Sequence, residues 1–487
     1  MMPSAEDRNK IEDNSNRSIL KGISIFGGVQ IFQILINLVR GKFVAMILGP
    51  QGMGLSSLLY TSATTIQTFS SLGINFALVR EIAAKKNDSS LPTIYAIANK
   101  LIYVTAVLGA LFCFSFSHYL SNITFGSPEY TIYFMFLSIM VFFSIAGAGK
   151  LSILQGLHEV KRLSRSSIVG GLTGLFVGVP LYYLFGENGI VPAMIVLSIS
   201  MFVFYNYSLT KACKIERIKI SWKQHNTLIK KIIILGLILM GGTLVGNFVT
   251  YLINLFVRTY GSIDNVGLYQ AANSITNQYV GLVFTSMSLD YFPRLTQNVN
   301  DNDFVRDIAN RQIIILSYVI TPLIIGLILT APLLIQILLS EEFKSILELM
   351  RWMGFGILFR AFSFPMGYIT FAKDNRKVYF WTEIILSNTI NLLCSCIAYY
   401  YFNLIGLGIT VVITGILSIL IGLYVNHKLY GFSLEKGTMI SSVIALSLCL
   451  SAFLLSFIDG ILSYLSMTVL MLMSATVSFL RLKKMIK

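Results

Sequence analysis

Arg360 is a lone guanidinium inside an apolar stretch at 346–371. It falls near the middle of any helix built there. Arginine at the centre of a membrane helix costs roughly 2.5–3.5 kcal/mol on insertion scales, so it must face water or a partner. No acidic residue lies equally deep. Asp290 and Glu383 stand near the ends of their own apolar stretches. They read first as interfacial charges and second as weak candidates for binding a coupling ion. Arg40, Lys42 and Arg258 sit at the ends of two further stretches. Snorkelling to the interface is one reading of them. The other follows from their chemistry. A guanidinium makes charge-assisted, often bidentate hydrogen bonds to phosphate oxygens, so an uncompensated basic set along a hydrated path points to an anionic ligand.

Polar side chains accompany these charges at helical spacing. Gln30, Gln33, Asn37 and Arg40 share one face, as do Asn247, Tyr251, Asn254 and Arg258. Ser57, Thr61, Thr64, Thr68, Ser71 and Asn75 make a further stripe, and Gln270, Asn273 and Asn277 another. Asn388, Asn391 and Ser395 add one more. Such residues avoid lipid and face other helices or water. Hydrogen-bonding glue between helices is the competing reading. Matched stripes on the first two helices of both halves favour a hydrated cavity. The candidate ligand-binding set is therefore Arg360, Arg40, Arg258, Lys42, Asn37, Gln33, Asn254, Asn273 and Asn277.

The elements that position these residues are membrane helices. Hydrophobic residues make up 55% of the 487-residue chain and charged ones 12%, and a spanning helix needs roughly 20 apolar residues. About fourteen spans are read at 19–39, 54–79, 94–116, 130–151, 166–185, 189–207, 232–257, 267–292, 312–334, 346–371, 378–402, 405–425, 439–457 and 461–479. Lys and Arg gather at the N-terminus, in every even-numbered loop and at the C-terminus. By the positive-inside rule both termini are expected on the cytoplasmic side. The net charge of +15 is accounted for by this topology and by anionic lipid head groups, without nucleic acid.

The order of spans repeats. "INLVRGKFVAMILGPQGMGLSSLLY" and "INLFVRTYGSIDNVGLYQAAN" each run from Asn and Arg through a turn into Gly-Leu. "HEVKRLSRSS" and "AKDNRKVYFW" each precede a later pair of spans. The predicted fold class is an all-α polytopic membrane protein with two pseudo-symmetric six-helix lobes and two extra C-terminal helices. The predicted segments are a tail at 1–18, an N-lobe at 19–210, a basic linker at 211–231, a C-lobe at 232–428, and the extra helices with a basic tail at 429–487. The 5 cysteines and 4 histidines have no metal-site spacing, so no metal, cofactor or disulfide is expected. No phosphate loop, nucleophile elbow or other enzyme motif is present, and no catalytic residue is assigned.

"FVAMILGPQGMGLSSLL", "DYFPRLTQ" and "LLSEEFKSILELMRWMGFGILFRAFSFPMGYITFAKDNRKVYFWTEI" resemble the Wzx-type O-antigen flippases of the multidrug/oligosaccharidyl-lipid/polysaccharide exporter superfamily. The resemblance covers about 18–429. It implies a bacterial inner-membrane flippase carrying an undecaprenyl-pyrophosphate-linked oligosaccharide to the periplasmic leaflet. The implied partners are that lipid-linked glycan, membrane lipids, a glycan polymerase and a chain-length regulator. Arg40 matches an essential first-helix Arg of related lipid flippases, but the Asp that follows it there is Gly41 here. Two alternatives are a cation-coupled multidrug exporter of the same fold, which would be expected to hold deep carboxylates, and a membrane glycan polymerase, which would need larger outer loops.

Overall fold

The structure, a computed structural model, describes residues 5–86, 88–212 and 225–486, with side-chain surroundings from 28 onward except 29, 282, 289 and 486. Lys214, Arg217, Lys219 and Lys223 of the predicted linker lie outside the described residues. The elements are helices α1 (Ala5–Ser70), α2 (Ile74–Ala84), α3 (Leu91–Ser115), α4 (Ser117–Phe125), α5 (Thr131–Gly156), α6 (Val160–Phe185), α7 (Ile190–Ala212) and α8 (Asn226–Tyr260). They continue as α9 (Ile263–Gln297), α10 (Asn302–Leu338), α11 (Leu347–Ala372), α12 (Arg376–Tyr379), α13 (Ser387–Tyr430), α14 (Lys436–Leu455) and α15 (Ile461–Ile486). Short 3-10 turns and one π-helical turn (Phe380–Leu386) join some of them.

Among the described residues ten stretches are long and apolar enough to cross a membrane. Three of these are two spans run together. Gln30–Ser70 turns at Gly49 (φ 65°, ψ −166°), Val160–Ala212 turns through Gly186–Gly189, and Arg376–Tyr430 turns at Asn403 (φ 51°, ψ −138°). The polar stripe of α9 keeps it out of the ten. Ten stretches, three internal turns and α9 make fourteen spans.

Two turn regions explain the most distinctive glycines. Gly49 supplies a positive φ directly before Pro50, which itself cannot continue a hydrogen-bonded helix. A Cβ on Gly54 would lie 1.9 Å from the Ile263 carbonyl oxygen, and one on Gly267 would lie 1.9 Å from the Pro50 carbonyl oxygen. The two Gly-Leu segments matched in the repeat therefore cross at backbone contact. Asn254 Nδ2 donates to Ser57 Oγ at 3.4 Å, and Ser57 Oγ donates to Gln270 Oε1 at 3.3 Å, at the same crossing.

The chain forms two compact units, Met1–Phe43 with Leu59–Leu244, and Val44–Leu58 with Val245–Lys487. Inside the first, α2, α3 and α7 pack on α5. Inside the second, α9, α10 and α13 pack on α11. In each unit the second, third and sixth spans thus pack on the fourth, as the repeat predicts. α14 and α15 pack against α10. In the second unit the core runs through Ile313, Leu316, Ile320, Ile324, Leu358 and Ile369, all buried. Pro365 lies inside the continuous helix α11, and its carbonyl accepts from the Tyr291 hydroxyl at 3.0 Å. Asn426 Nδ2 donates to the Met366 carbonyl at 3.1 Å. Side chains of neighbouring helices thus add hydrogen bonds to the α11 backbone at this proline and at the residue after it.

Candidate functional site

The second unit holds a cavity of about 890 Å³ lined by α8, α9, α11, the π-helical turn and both halves of α13. Arg360 projects into it from α11. Asn273, Thr276 and Asn277 reach it from α9, Thr250 from α8, and Asn388, Asn391, Thr414 and Ser418 from α13. The lining is polar because these residues share faces at helical spacing, one turn apart on each helix.

Arg360 is exposed to this cavity. Its Nη1 donates to Asn277 Oδ1 at 3.3 Å, and its guanidinium lies 5.4 Å from the centre of the Phe284 ring. Asn277 Nδ2 donates in turn to Asn273 Oδ1 at 2.6 Å and to the Asn273 carbonyl at 3.0 Å. The two asparagines form a fixed ledge that orients the guanidinium and leaves most of its five donors open. Glu383 shares the cavity from the π-helical turn. A Cβ built on Gly367 would lie 3.3 Å from the Glu383 carboxyl carbon. Gly367 lies two turns beyond Arg360, about 10 Å along α11.

The sequence candidates distribute as follows. Arg360, Asn273, Asn277 and Glu383 come together in this cavity. Asn254 is fully buried at the Gly54 crossing, and Arg258, one turn further along α8, is half-buried; neither lines the cavity. Gln33, Asn37, Arg40 and Lys42 belong to the first unit, with Asn37 exposed and the other three half-buried. Asp290 pairs with Arg294 at 3.0 Å on an exposed turn of α9 and is absent from the cavity wall. Sequence reading overlooked Thr250, Thr414, Ser418 and the aromatic residues Phe364, Tyr368, Phe371 and Tyr379 on the wall. The spacing of Thr410, Thr414 and Ser418 was a usable signal. The aromatics had none, since they look like ordinary membrane-helix residues. Among the described residues no group of three His, Cys, Asp or Glu could hold a metal ion.

Fourteen helical spans, arranged as a repeated bundle around buried polar residues, define a multi-pass membrane protein of the lipid-flippase and multidrug-exporter fold. The lipid II flippase MurJ in its inward closed conformation superposes with a TM-score of 0.74, covering 95% of this chain and 99% of that one at 16% identity. An inward-facing multidrug resistance MATE family transporter of the MOP superfamily gives a TM-score of 0.70 over 85% and 95% at 15% identity. In sequence, the lipid III flippase of Escherichia coli (strain K12) is 24% identical over 364 residues, 72% of this chain and 84% of the relative. The model of the polysaccharide biosynthesis protein family matches residues 43–348, and the chain belongs to that family.

Proposed function

We propose that this protein is a flippase that moves an undecaprenyl-pyrophosphate-linked oligosaccharide, an O-antigen or related repeat unit, from the cytoplasmic to the periplasmic leaflet of a bacterial inner membrane by alternating access. Arg360 carries the proposal. It is a cation with open donors, in a polar cavity, with no carboxylate at ion-pairing distance among the described residues. A diphosphate supplies the bidentate oxygens that such a guanidinium binds best. The likeness to the lipid III flippase supports a lipid-linked glycan as cargo. Arg40, Lys42 and Arg258, with Gln33 and Asn37, are proposed to serve the same anion elsewhere on its path, with Asn254 holding the Gly54 crossing. Both termini are proposed to be cytoplasmic. Reporter fusions at Ser127 and Asn265 are expected to read periplasmic and one at Lys484 cytoplasmic; a reversal at either loop would overturn the topology.

The deciding experiment is transport of a diphosphate-linked glycan lipid in vesicles containing the purified protein. Arg360→Gln should abolish most of it and Arg360→Lys should retain part. Full transport by Arg360→Gln at equal protein would remove the anion site. The second reading, a cation-coupled exporter, is favoured by one observation, the carboxylate of Glu383 in the same cavity. It separates from the first by driving force. Outward movement of two negative charges from a negative interior gains about 4–5 kcal/mol per 100 mV. A potassium–valinomycin potential, imposed without sodium or proton gradients, should therefore accelerate flipping. Indifference to its sign, with transport driven by an ion gradient, would favour the coupled exporter.

A further inference from the structure

The end of the cavity beyond Gly367 differs from the Arg360 end. Tyr368, Phe371 and Tyr379 line it, with Phe364 one turn nearer Arg360, and the rings touch in series, with centroid distances of 4.9 Å for Phe364–Tyr368 and 5.1 Å for Phe371–Tyr379. Phe371 remains 48% exposed although it is large and apolar. Within this aromatic wall the Glu383 carboxylate rests against Gly367, where a side chain would crowd it. It makes no hydrogen bond or ion pair with any described residue. Asn388 faces the same space from the first turn of α13.

We propose that this end is a binding subsite for a sugar ring, in which the faces of Tyr368 and Tyr379 stack on the ring and the Glu383 carboxylate accepts hydrogen bonds from neighbouring hydroxyls. The assignment deepens the flippase reading and rests on it for the identity of the cargo. The chemistry is local. Aromatic faces carry negative quadrupole charge and attract the weakly positive C–H face of a pyranose. A carboxylate is acceptor-only, with two oxygens that suit paired hydroxyl donors. The asparagine offers both a donor and an acceptor. Charge orients the cargo. Glu383 repels a diphosphate and Arg360 attracts it, so an elongated ligand lies with its phosphates at Arg360 and a hydroxyl-rich ring about 10 Å away. A metal-ion site at Glu383 would need further strong ligands, and among the described residues no group of three His, Cys, Asp or Glu surrounds it.

The test uses the purified full chain in detergent with N,N′,N″-triacetylchitotriose, a neutral, lipid-free trisaccharide, read by saturation-transfer NMR. Ring protons of the sugar should receive saturation from the protein. Tyr379→Leu and Tyr368→Leu should each weaken binding about tenfold, while Tyr368→Phe, which keeps the ring face, should restore most of the loss. Glu383→Leu should weaken it similarly, and Glu383→Gln, which keeps a hydroxyl acceptor, less. Thermal unfolding of each variant identifies any that fails to fold, and Tyr379→Leu then carries the test in place of Tyr368→Leu. Absence of saturation in the wild-type protein overturns the proposal. So does wild-type affinity in both Leu variants, or an unchanged affinity in Glu383→Leu coupled to loss of ion-driven transport. Sugar binding without transport of a glycan lipid would sink the flippase reading and leave the subsite standing. Transport without sugar binding would do the reverse.

Discussion

Two repeat-related helices, α5 in the first unit and α11 in the second, each carry a basic residue within the bundle, and the two residues are treated in opposite ways. Lys150 on α5 is 4% exposed, donates to Asn99 Oδ1 at 2.5 Å, and lies 5.1 Å from the centre of the Tyr103 ring. Arg360 on α11 is open to a cavity and, among the described residues, its side chain makes one hydrogen bond, of 3.3 Å. The chemical partners are of the same kind, an amide oxygen and an aromatic face. The difference is saturation. Lys150 is packed into the bundle and its charge is committed to neighbours, so it stabilises one arrangement of helices. Arg360 keeps donors that no described residue uses, so its charge is available to a ligand. A cation within the helix bundle announces function only when its hydrogen bonds are left open.

The sharpest way to break this contrast is to neutralise both residues in turn. Arg360→Gln should lower glycan-lipid transport about 10- to 100-fold, the loss of one or two charge-assisted hydrogen bonds worth about 1.5–3 kcal/mol in total. Its thermal unfolding should stay close to that of the parent, because the side chain is largely open to the cavity and its contacts with Asn277 and Phe284 lie on the cavity wall. Lys150→Met should behave the other way. It should destabilise the protein by about 1–3 kcal/mol, since the partner amide loses a buried charged donor. Transport per folded molecule should be largely kept. A stability loss confined to Arg360→Gln, or a transport loss confined to Lys150→Met, would reverse the assignment.

A third pair sits between these extremes. Glu81 is buried, with a side chain 9% exposed, and pairs at 2.8 Å with Lys231, whose side chain is 62% exposed. Nearby, Gly73 (φ 64°) lets the start of α2 touch the Gly236 carbonyl, where a Cβ would lie at 2.1 Å. Lys231→Ala should cost about 1 kcal/mol, because the half-exposed ion pair is screened but the carboxylate left behind is not. Urea or thermal unfolding in detergent measures this, and a cost as large as that of Lys150→Met would show that exposure is a poor guide here.

The smallest effect is expected in the loop after α2. Lys85 donates to Asp88 at 2.6 Å, and Ser90 N–H donates to the same carboxylate at 3.0 Å. The lysine bond, followed by the backbone bond, holds the Asp88 carboxyl down at about 2, below its ordinary 3.8. A carboxylate depressed in the folded state contributes above its unfolded value and loses that contribution as pH falls through the folded one. The loop contact should therefore be full above about pH 4 and fade toward pH 2. Both groups are exposed, so Asp88→Asn should leave global unfolding almost unmoved while abolishing this titration in an NMR pH series.

Much of the fold was legible in composition and spacing. Long apolar runs have one stable solution in lipid, the helix, because each backbone polar group must be satisfied internally. The fourteen spans, the repeat and the unusual depth of Arg360 follow from that rule applied to the chain alone. A short turn between the first two spans was expected as well, and the structure places it at Gly49, whose positive φ precedes the missing N–H of Pro50. The polar stripes on α9 and α13 were equally visible, and Asn273, Asn277 and Asn388 do line the cavity.

Only the tertiary structure decided which stripes meet. Asn254 and Asn273 are indistinguishable on a helical wheel. The first is sealed by the Gly54 crossing, and the second faces open space, because backbone contact between distant segments depends on how helices pack and not on their own periodicity. Asp290 and Glu383 looked alike as carboxylates near span ends. An arginine one turn away occupies the first, whereas a glycine on another helix leaves room for the second. Local pairing can be read from spacing, but the shape of a cavity is a property of several helices at once. For that reason the amino-acid sequence determined what this protein is built from, and packing determined where its one open guanidinium among the cavity residues would face.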